Sequence, residues 1–144
     1  MSQTFRVTRR VEFRDTDMAG IVHFSVFFNY MEQAEHEFLR SLGMGVIYEF
    51  EGREVSWPRV NAACNYRRAI KFEQLIDIAL SVARIGEKSV TYAFRFEHQG
   101  QLVAEGEITA VCCLFQPGGP PRSIPIPEGI RCKLQPFARE SESN

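Results

Sequence analysis

The sequence lacks several features that would place it in a specialised class of protein. It has no run of about 18 apolar residues, the length needed to span a bilayer, and its N-terminal stretch MSQTFRVTRRVEF contains no apolar signal segment. Its 17 basic and 18 acidic residues leave a net charge of -1, which argues against nucleic-acid binding. We therefore expect a globular cytoplasmic protein with no nucleic-acid partner and no membrane span.

The short motifs of several enzyme classes are also missing. No Gly-rich phosphate loop and no G-x-S-x-G element is present, which argues against nucleotide hydrolysis and serine esterase chemistry. The four cysteines have no C-x-x-C spacing, and we interpret them as buried, reduced thiols. Glu32 and His36 lie four residues apart on one helix face, but without H-E-x-x-H or a third ligand they predict no metal site.

The first third of the chain shows a change of hydrophobic period. Apolar residues alternate with polar ones from Phe5 to Phe13, the pattern of a half-buried strand. From Ser25 to Leu42 they recur at steps of three and four residues, which predicts a long amphipathic helix. Ser25 is the predicted cap of this helix, and Gly43 is the predicted residue just beyond its end.

Alternating apolar residues return after the helix in four segments, two of which are followed by the Gly-containing turns IGEK and HQGQ. The segments are 60–66, 78–82, 90–96 and 102–114. In the first, the pattern places Val60 and Tyr66 on one face of a strand and Arg59 on the other. Gly106 interrupts the last segment, where a bulge or a close helix crossing would tolerate a missing side chain. One helix followed by antiparallel strands is typical of an α+β fold in which the helix covers one face of the sheet.

The end of the chain differs in composition from the rest. The stretch PGGPPRSIPIP ends the sheet because proline removes backbone donors, and EGIRCKL after it fits one or two helical turns. We predict a single domain over residues 1–137. The polar tail ARESESN, residues 138–144, is predicted to be disordered because it buries too little apolar surface to offset its ordering entropy.

Two acids, Asp15 and Asp17, lie on the connection between the first strand and the helix. Loop aspartates commonly accept hydrogen bonds from nearby backbone amides, and this is the default interpretation. Gly20 and the helix start at His23 and Phe24 favour a second one, because glycine permits close approach of a ligand and a helix N-terminus has free N–H donors. A carboxylate beside such donors suits acyl-group chemistry, in which an oxygen gains negative charge.

The motif DTDMAGIVHF, followed by the helix FFNYMEQAEHEFLRSLG, resembles the start of the hotdog-fold acyl-CoA thioesterases of the 4-hydroxybenzoyl-CoA thioesterase and YbgC type. The resemblance extends from Arg6 to about Leu134. It implies a curved antiparallel sheet wrapped around one long central helix, from about Phe24 to Leu42, in a homodimer or homotetramer. It also implies hydrolysis of an acyl-CoA to a carboxylic acid and free CoA, with no cofactor besides the CoA of the substrate.

The resemblance also implies roles for individual residues. Asp17 matches the catalytic carboxylate, acting as nucleophile or as general base, and the Phe24 backbone N–H matches the donor that polarises the thioester carbonyl. Many relatives have Tyr-His where this chain has His23 and Phe24. His23 is a candidate catalytic residue that could position the substrate, and it could equally cap the helix or pack at a subunit contact. The positions that match substrate-binding positions, or are expected beside the substrate, are Gly20, Phe27, Glu32, Arg84, Lys88, Ser89 and Arg122.

Two other functions remain compatible with the residues. One is a hotdog dehydratase or hydratase of acyl thioesters, although the acid precedes the histidine here. The other is a protein that binds acyl-CoA or an acyl carrier without catalysis. The sequence does not specify the acyl group, because pocket depth depends on packing between protomers.

Overall fold

The computed structural model describes residues 2–45 and 48–139. The strands are β1 Phe5–Arg10, β2 Tyr48–Phe50, β3 Arg53–Ser56, β4 Arg59–Tyr66, β5 Leu75–Ile85, β6 Ser89–His98, β7 Gln101–Val111, β8 Cys113–Leu114 and β9 Arg122–Ser123. The helices are α1 Val26–Ser41 and α2 Glu128–Leu134, with 3-10 turns at Phe13–Asp15 and Gln135–Phe137. Five strands form an antiparallel sheet in the order β1-β5-β6-β7-β4, and the others form a second sheet, β2-β3-β8-β9. The α+β class is confirmed, and the second sheet is an addition to the prediction.

Helix α1 packs on one face of the five-stranded sheet. The Phe27 ring meets the Phe96 ring of β6 edge to face at a centroid distance of 5.2 Å. A Cβ atom on Gly106 would lie 2.5 Å from Met31 Cε, so the helix crosses β7 where a side chain is missing. The close helix crossing predicted at Gly106 is therefore confirmed. Burial of this apolar face supplies the main stabilising term of the fold.

The expectation of one long central helix needs correction. Helix α1 has 16 residues and begins at Val26 rather than Phe24 or Ser25, and α2 adds a second helix of 7 residues. Ser25 has helical dihedral angles and makes no side-chain cap bond, so it does not act as the predicted cap. Gly43 follows the helix with a φ of 79°, the left-handed conformation that favours glycine at a helix end.

The first strand is shorter than the alternation predicts. Strand β1 ends at Arg10, and Phe13 begins a 3-10 turn. The Phe13 side chain is exposed and packs edge to face on Phe72, with ring centroids 5.9 Å apart. The alternation failed here because the chain turns away from the sheet to start the connection toward α1.

Strand β4 carries a bulge that overturns the predicted assignment of its faces. Arg59 pairs with Ala110 and Asn61 with Thr109, so two steps on β4 oppose one step on β7, and Val60 is the extra residue. Such a bulge re-aims the neighbouring side chains. Arg59 therefore lies on the same face as α1, and Val60 is 62% exposed instead of buried.

The free edge of the five-stranded sheet is also formed by β4, since it pairs with β7 on one side and with no other described strand.

At the opposite edge, the predicted tail begins later than expected. Ala138 forms a bridge with Val82, and the Arg139 N–H donates to the Val82 carbonyl at 2.9 Å. The rest of the predicted tail, residues 140–144, lies outside the described residues.

The cysteines are all unpaired thiols but are not all buried. Cys112 and Cys113 are buried, Cys64 is half-buried and Cys132 is exposed, so the prediction of buried thiols is wrong for Cys132. Burial raises the pKa of Cys112 to about 11, which keeps it protonated and a poor nucleophile at neutral pH.

Candidate active site

The two acids of the strand-to-helix connection have different surroundings. The Asp15 carboxylate accepts hydrogen bonds from the Tyr30 hydroxyl and the Glu12 N–H, both at 2.9 Å. Burial, followed by the hydrogen bond to Asp15, raises the pKa of Tyr30, so this hydroxyl stays a donor. The Asp15 carbonyl accepts the His23 N–H at 2.9 Å. Asp15 therefore ties the connection to α1 and has a structural role.

Asp17 occupies the tight turn that follows. Its Oδ1 accepts the Ala19 N–H at 2.8 Å and a longer contact from the Ile21 N–H at 3.5 Å. Gly20 closes the turn with a φ of 80°, and open space lies where its Cβ would be. Gly20 is thus required by the backbone conformation. Oδ2 of Asp17 has no hydrogen-bond partner in the part of the chain that the structure describes.

The start of α1 leaves backbone donors without acceptors among the described residues. The Ser25 N–H donates to His23 Nδ1 at 3.2 Å, and the Val26 N–H donates to the His23 carbonyl at 2.9 Å. The His23 ring therefore contacts Ser25 just before the helix, and it also stacks on Phe24 with centroids 4.6 Å apart. Among residues 2–45 and 48–139, the Phe24 N–H finds no hydrogen-bond acceptor.

A cavity of about 360 Å³ lies between this helix start and the end of β4. Asp17, Phe24 and Phe27 line it from the connection and the helix. The lining of this cavity therefore includes Asp17 and Phe24, two residues that the sequence nominated. Ile21, Val22 and Ile70 add an apolar wall, which suits the body of an acyl group.

Three of the wall residues that were not nominated from the sequence carry polar groups: Tyr66, Arg67 and Arg68. The Tyr66 hydroxyl donates to the Phe24 carbonyl at 2.8 Å and holds that residue in place. Burial, with the nearby Cys64 contributing, raises the pKa of Tyr66 to about 12, so it remains protonated. The N–H groups of Arg67 and Arg68 both donate to the Val103 carbonyl, which fixes the basic pair at the cavity. In the sequence, the doublet RR after an alternating segment was the signal that could have identified Arg67 and Arg68.

The remaining predicted residues lie away from this cavity in a single chain. Arg84, Lys88 and Ser89 surround the β5–β6 turn, at the opposite end of β5 from the cavity, about 30 Å of extended strand away. Arg122 is exposed on β9, which pairs with β8 at that same end. Glu32 lines a different cavity, beside Arg59.

Neither helix in residues 2–45 and 48–139 combines the length and the apolar character that crossing a membrane requires. Within those residues, no group of three His, Cys, Asp or Glu side chains is arranged to hold a metal ion.

Comparison with known proteins agrees with the fold. The profile of the Thioesterase-like superfamily matches residues 11–134. The 1,4-dihydroxy-2-naphthoyl-CoA hydrolase of Synechococcus elongatus is 26% identical over 132 residues, 91% of this chain and 95% of that protein. The acyl-CoA thioesterase YbgC of Haemophilus influenzae is 21% identical over 103 residues, 72% and 76% of the two chains. The structure of BH1999 gentisyl-coenzyme A thioesterase has a TM-score of 0.78 and 29% identity, and covers 90% of this chain and 98% of that one.

The antiparallel sheet packed on a helix is shared with a solved structure named as a thioesterase, relatives at the sequence level are also named as thioesterases, and the class is thioester hydrolase. The chain belongs to the Thioesterase-like superfamily. The resemblance stated from the sequence is thereby confirmed.

Proposed function

We propose that the protein hydrolyses an acyl-CoA thioester at the cavity beside Asp17. The observation that supports the proposal is that Asp17 and Phe24 line one cavity, and that the Phe24 N–H has no acceptor among residues 2–45 and 48–139. The thioester oxygen accepts the Phe24 N–H, which stabilises the negative charge that develops in the transition state. The start of α1 adds the favourable end of the helix dipole.

Asp17 acts by one of two routes. In the first, a carboxylate oxygen attacks the carbonyl carbon, the C–S bond breaks, CoA leaves as a thiolate that is protonated by solvent, and water hydrolyses the resulting anhydride. In the second, Asp17 takes a proton from a water molecule that attacks the same carbon. Mass spectrometry of rapidly quenched single turnovers distinguishes them, because only the first adds the acyl mass to the chain.

The reaction is tested by measuring thiol release from a panel of acyl-CoAs. Two relatives are named for hydroxylated aromatic acyl-CoAs, so the panel begins with such compounds and extends to benzoyl and graded aliphatic chains. Release of free CoA with formation of the carboxylic acid supports the proposal. Formation or loss of a double bond without thiol release indicates a dehydratase, and saturable binding without turnover indicates a binding protein.

Arg67 and Arg68 are proposed to bind the phosphates of CoA at the mouth of the cavity. We expect the Arg67→Gln, Arg68→Gln double variant to raise KM for acyl-CoA about tenfold with little change in kcat, because two charge-assisted contacts are lost. Steady-state kinetics at low and high salt measure this effect. The matched control is Arg53→Gln, an exposed arginine of β3. An unchanged KM in the double variant would show that other residues bind the phosphates of CoA.

We further propose that the protein is a dimer formed by antiparallel pairing of β4 with its own copy. The free edge of β4 leaves backbone groups unpaired, and an exposed edge of this kind is a site for pairing. Tyr66 and the Asp17 cavity lie at one end of β4, and Arg59 lies at the other. The turn that contains Lys88 lies beside the Arg59 end of β4, where the Lys88 carbonyl accepts the Cys112 N–H. Antiparallel self-pairing would therefore join the Asp17 cavity of one protomer to the Lys88 turn of the other.

A charge placed in the middle of β4 tests this arrangement. Ala62 is exposed in the single chain, but in the proposed dimer it lies close to its own copy across the two-fold axis. Ala62→Glu should therefore give a folded monomer that has lost most of its thiol release. Size-exclusion chromatography with light scattering gives the mass, and Gln101→Glu, an exposed position on β7, is the control. A fully active dimer of Ala62→Glu contradicts the β4 interface.

A further inference from the structure

The peptide groups on either side of the Phe24 N–H are held by hydrogen bonds. The His23 N–H donates to the Asp15 carbonyl at 2.9 Å, and the His23 carbonyl accepts the Val26 N–H at the same distance. The His23 carbonyl and the Phe24 N–H belong to one planar trans peptide group, in which they point in opposite directions. The Phe24 N–H is therefore directed away from the Val26 amide at the start of α1.

The next peptide group is held at both ends by side chains. Its carbonyl, that of Phe24, accepts the Tyr66 hydroxyl at 2.8 Å, and its N–H, that of Ser25, donates to His23 Nδ1 at 3.2 Å. The Phe28 N–H donates to the Ser25 carbonyl instead of continuing the helical bonding back to Phe24. Among residues 2–45 and 48–139, the Tyr66 hydroxyl is thus the one donor to the Phe24 carbonyl.

The Tyr66 bond differs from the others because it joins two elements that are distant in the sequence. Tyr66 is the last residue of β4, 42 residues from Phe24, and it pairs with Ala104 of β7. Its ring meets the Phe27 ring edge to face at a centroid distance of 5.2 Å. The sheet and the first turn of α1 therefore fix the Tyr66 ring, and the hydroxyl on this ring fixes the Phe24 carbonyl.

The exposure of this bond indicates what it contributes. The Tyr66 residue is 44% exposed, so a water molecule can take the place of its hydroxyl at the Phe24 carbonyl. Replacing one hydrogen bond by another of similar strength changes stability little. A water molecule has no fixed position, however, whereas the hydroxyl is held by the strand and the ring. The bond therefore contributes chiefly to the direction of the Phe24 peptide groups.

We infer that Tyr66 is a positioning residue for thioester hydrolysis, because its hydroxyl keeps the Phe24 segment in the orientation in which the Phe24 N–H donates to the thioester oxygen. The inference rests on the proposed thioesterase function. Donors that are already oriented toward the developing charge stabilise the transition state more than the bound substrate. Loss of the hydroxyl therefore lowers kcat and leaves KM nearly unchanged.

The kinetic test is steady-state hydrolysis of the best acyl-CoA of the panel by Tyr66→Phe, which keeps the ring and its contact with Phe27. We expect kcat to fall about 10- to 30-fold, which is less than the loss of a whole oxyanion donor, while KM changes by less than about twofold. The matched control is Tyr30→Phe, which removes a hydroxyl that donates to Asp15 on the same connection at 2.9 Å. It should lose at least as much thermal stability, since that bond is charge-assisted, and keep kcat within about threefold.

Two CoA conjugates that cannot be hydrolysed test whether the effect lies at the carbonyl group. Phenacyl-CoA keeps a carbonyl, separated from the sulfur by a methylene group, whereas benzyl-CoA has none. In the wild-type protein, phenacyl-CoA should shift the NMR signal of the Phe24 amide proton downfield, as an accepted hydrogen bond does, and benzyl-CoA should not. Tyr66→Phe should reduce this shift and leave the affinity for benzyl-CoA, measured by calorimetry, unchanged.

Several outcomes overturn the inference while thiol release by the wild-type protein still supports the thioesterase function. These are a kcat of Tyr66→Phe within about threefold of wild type, a rise in KM as large as the fall in kcat, and a Phe24 amide signal that phenacyl-CoA does not move. Weaker binding of benzyl-CoA by the variant also overturns it, because the hydroxyl would then contact the ligand directly. Absence of thiol release from every acyl-CoA instead overturns the proposed function, and the two conjugates then still test the role of Tyr66.

Discussion

Asp17→Asn should abolish thiol release, with kcat lowered by about 10³- to 10⁴-fold, while the chain folds and binds CoA as before. Asparagine has the same shape and its oxygen can still accept the Ala19 N–H that now reaches Oδ1 at 2.8 Å, so the turn is kept. The amide can neither attack a carbonyl carbon nor take a proton from water, and loss of a general base or nucleophile typically costs this much. The measurement is single-turnover thiol release, with CoA affinity from calorimetry.

The neighbouring acid provides the matched control. Asp15→Asn keeps an oxygen that can accept the Tyr30 hydroxyl, and Asp15 does not line the cavity. We therefore expect a modest loss of thermal stability and a kcat within about tenfold of wild type, since a neutral hydrogen bond replaces a charge-assisted one. Near-normal turnover by Asp17→Asn would show that another group is the base or nucleophile.

Arg59→Met should lower the free energy of unfolding by about 3 kcal/mol at pH 8, because it leaves the Glu35 carboxylate buried and uncompensated. The value lies at the low end of the usual range since the Arg59 side chain is 28% exposed and partly solvated. The loss should be smaller at acidic pH. Burial alone raises the pKa of Glu35 in the folded variant, so the neutral form is favoured there.

The direction of the pH dependence follows from linkage. A carboxyl whose folded pKa exceeds its unfolded value binds its proton more tightly in the folded state, so stability is present below the unfolded pKa and falls as pH rises. Because the unfolded chains titrate alike, the deficit of Arg59→Met relative to wild type should open above the folded pKa of Glu35 in the wild type, which burial already raises from its ordinary value, and grow until the higher pKa of the variant is passed. Urea unfolding at pH 5 and pH 8 measures it. Adding Glu35→Leu to Arg59→Met should remove most of the deficit and its pH dependence. A deficit of Arg59→Met that does not change with pH would contradict this account.

Local patterns predicted much of the fold. The three- and four-residue spacing predicted α1 to within one residue of Val26 and Ser41, because a helix under a sheet must bury one continuous face. The positive φ values of Gln99 and Gly100 form the turn that HQGQ predicted. The acid-then-helix sequence also brought Asp17 and Phe24 into one cavity, although their roles remain predictions.

Features that depend on distant partners could not be predicted in the same way. The bulge at Val60 exists only in relation to Ala110 and Thr109, about 50 residues later, so alternation within β4 assigned Arg59 to the wrong face. Arg67 lines the cavity because its N–H pairs with Val103, and no local signal encodes that pairing. Glu35 was not predicted as part of a site because a single acid on the apolar face only interrupts the helix pattern. The pattern does not show that Arg59 pairs with it.

The unequal exposure of the cysteines has a practical bearing on the colorimetric reagents that would follow CoA release. Cys132 is exposed, and its hydrogen bond to Glu128 raises its pKa, so this thiol should react slowly with the disulfide reagent and give a drifting baseline. The buried thiols of Cys112 and Cys113 should not react with the reagent until the sheet unfolds. Replacing Cys132 by serine would remove its contribution to the baseline. The reaction of the buried Cys112 and Cys113 thiols would then report the fraction of unfolded molecules.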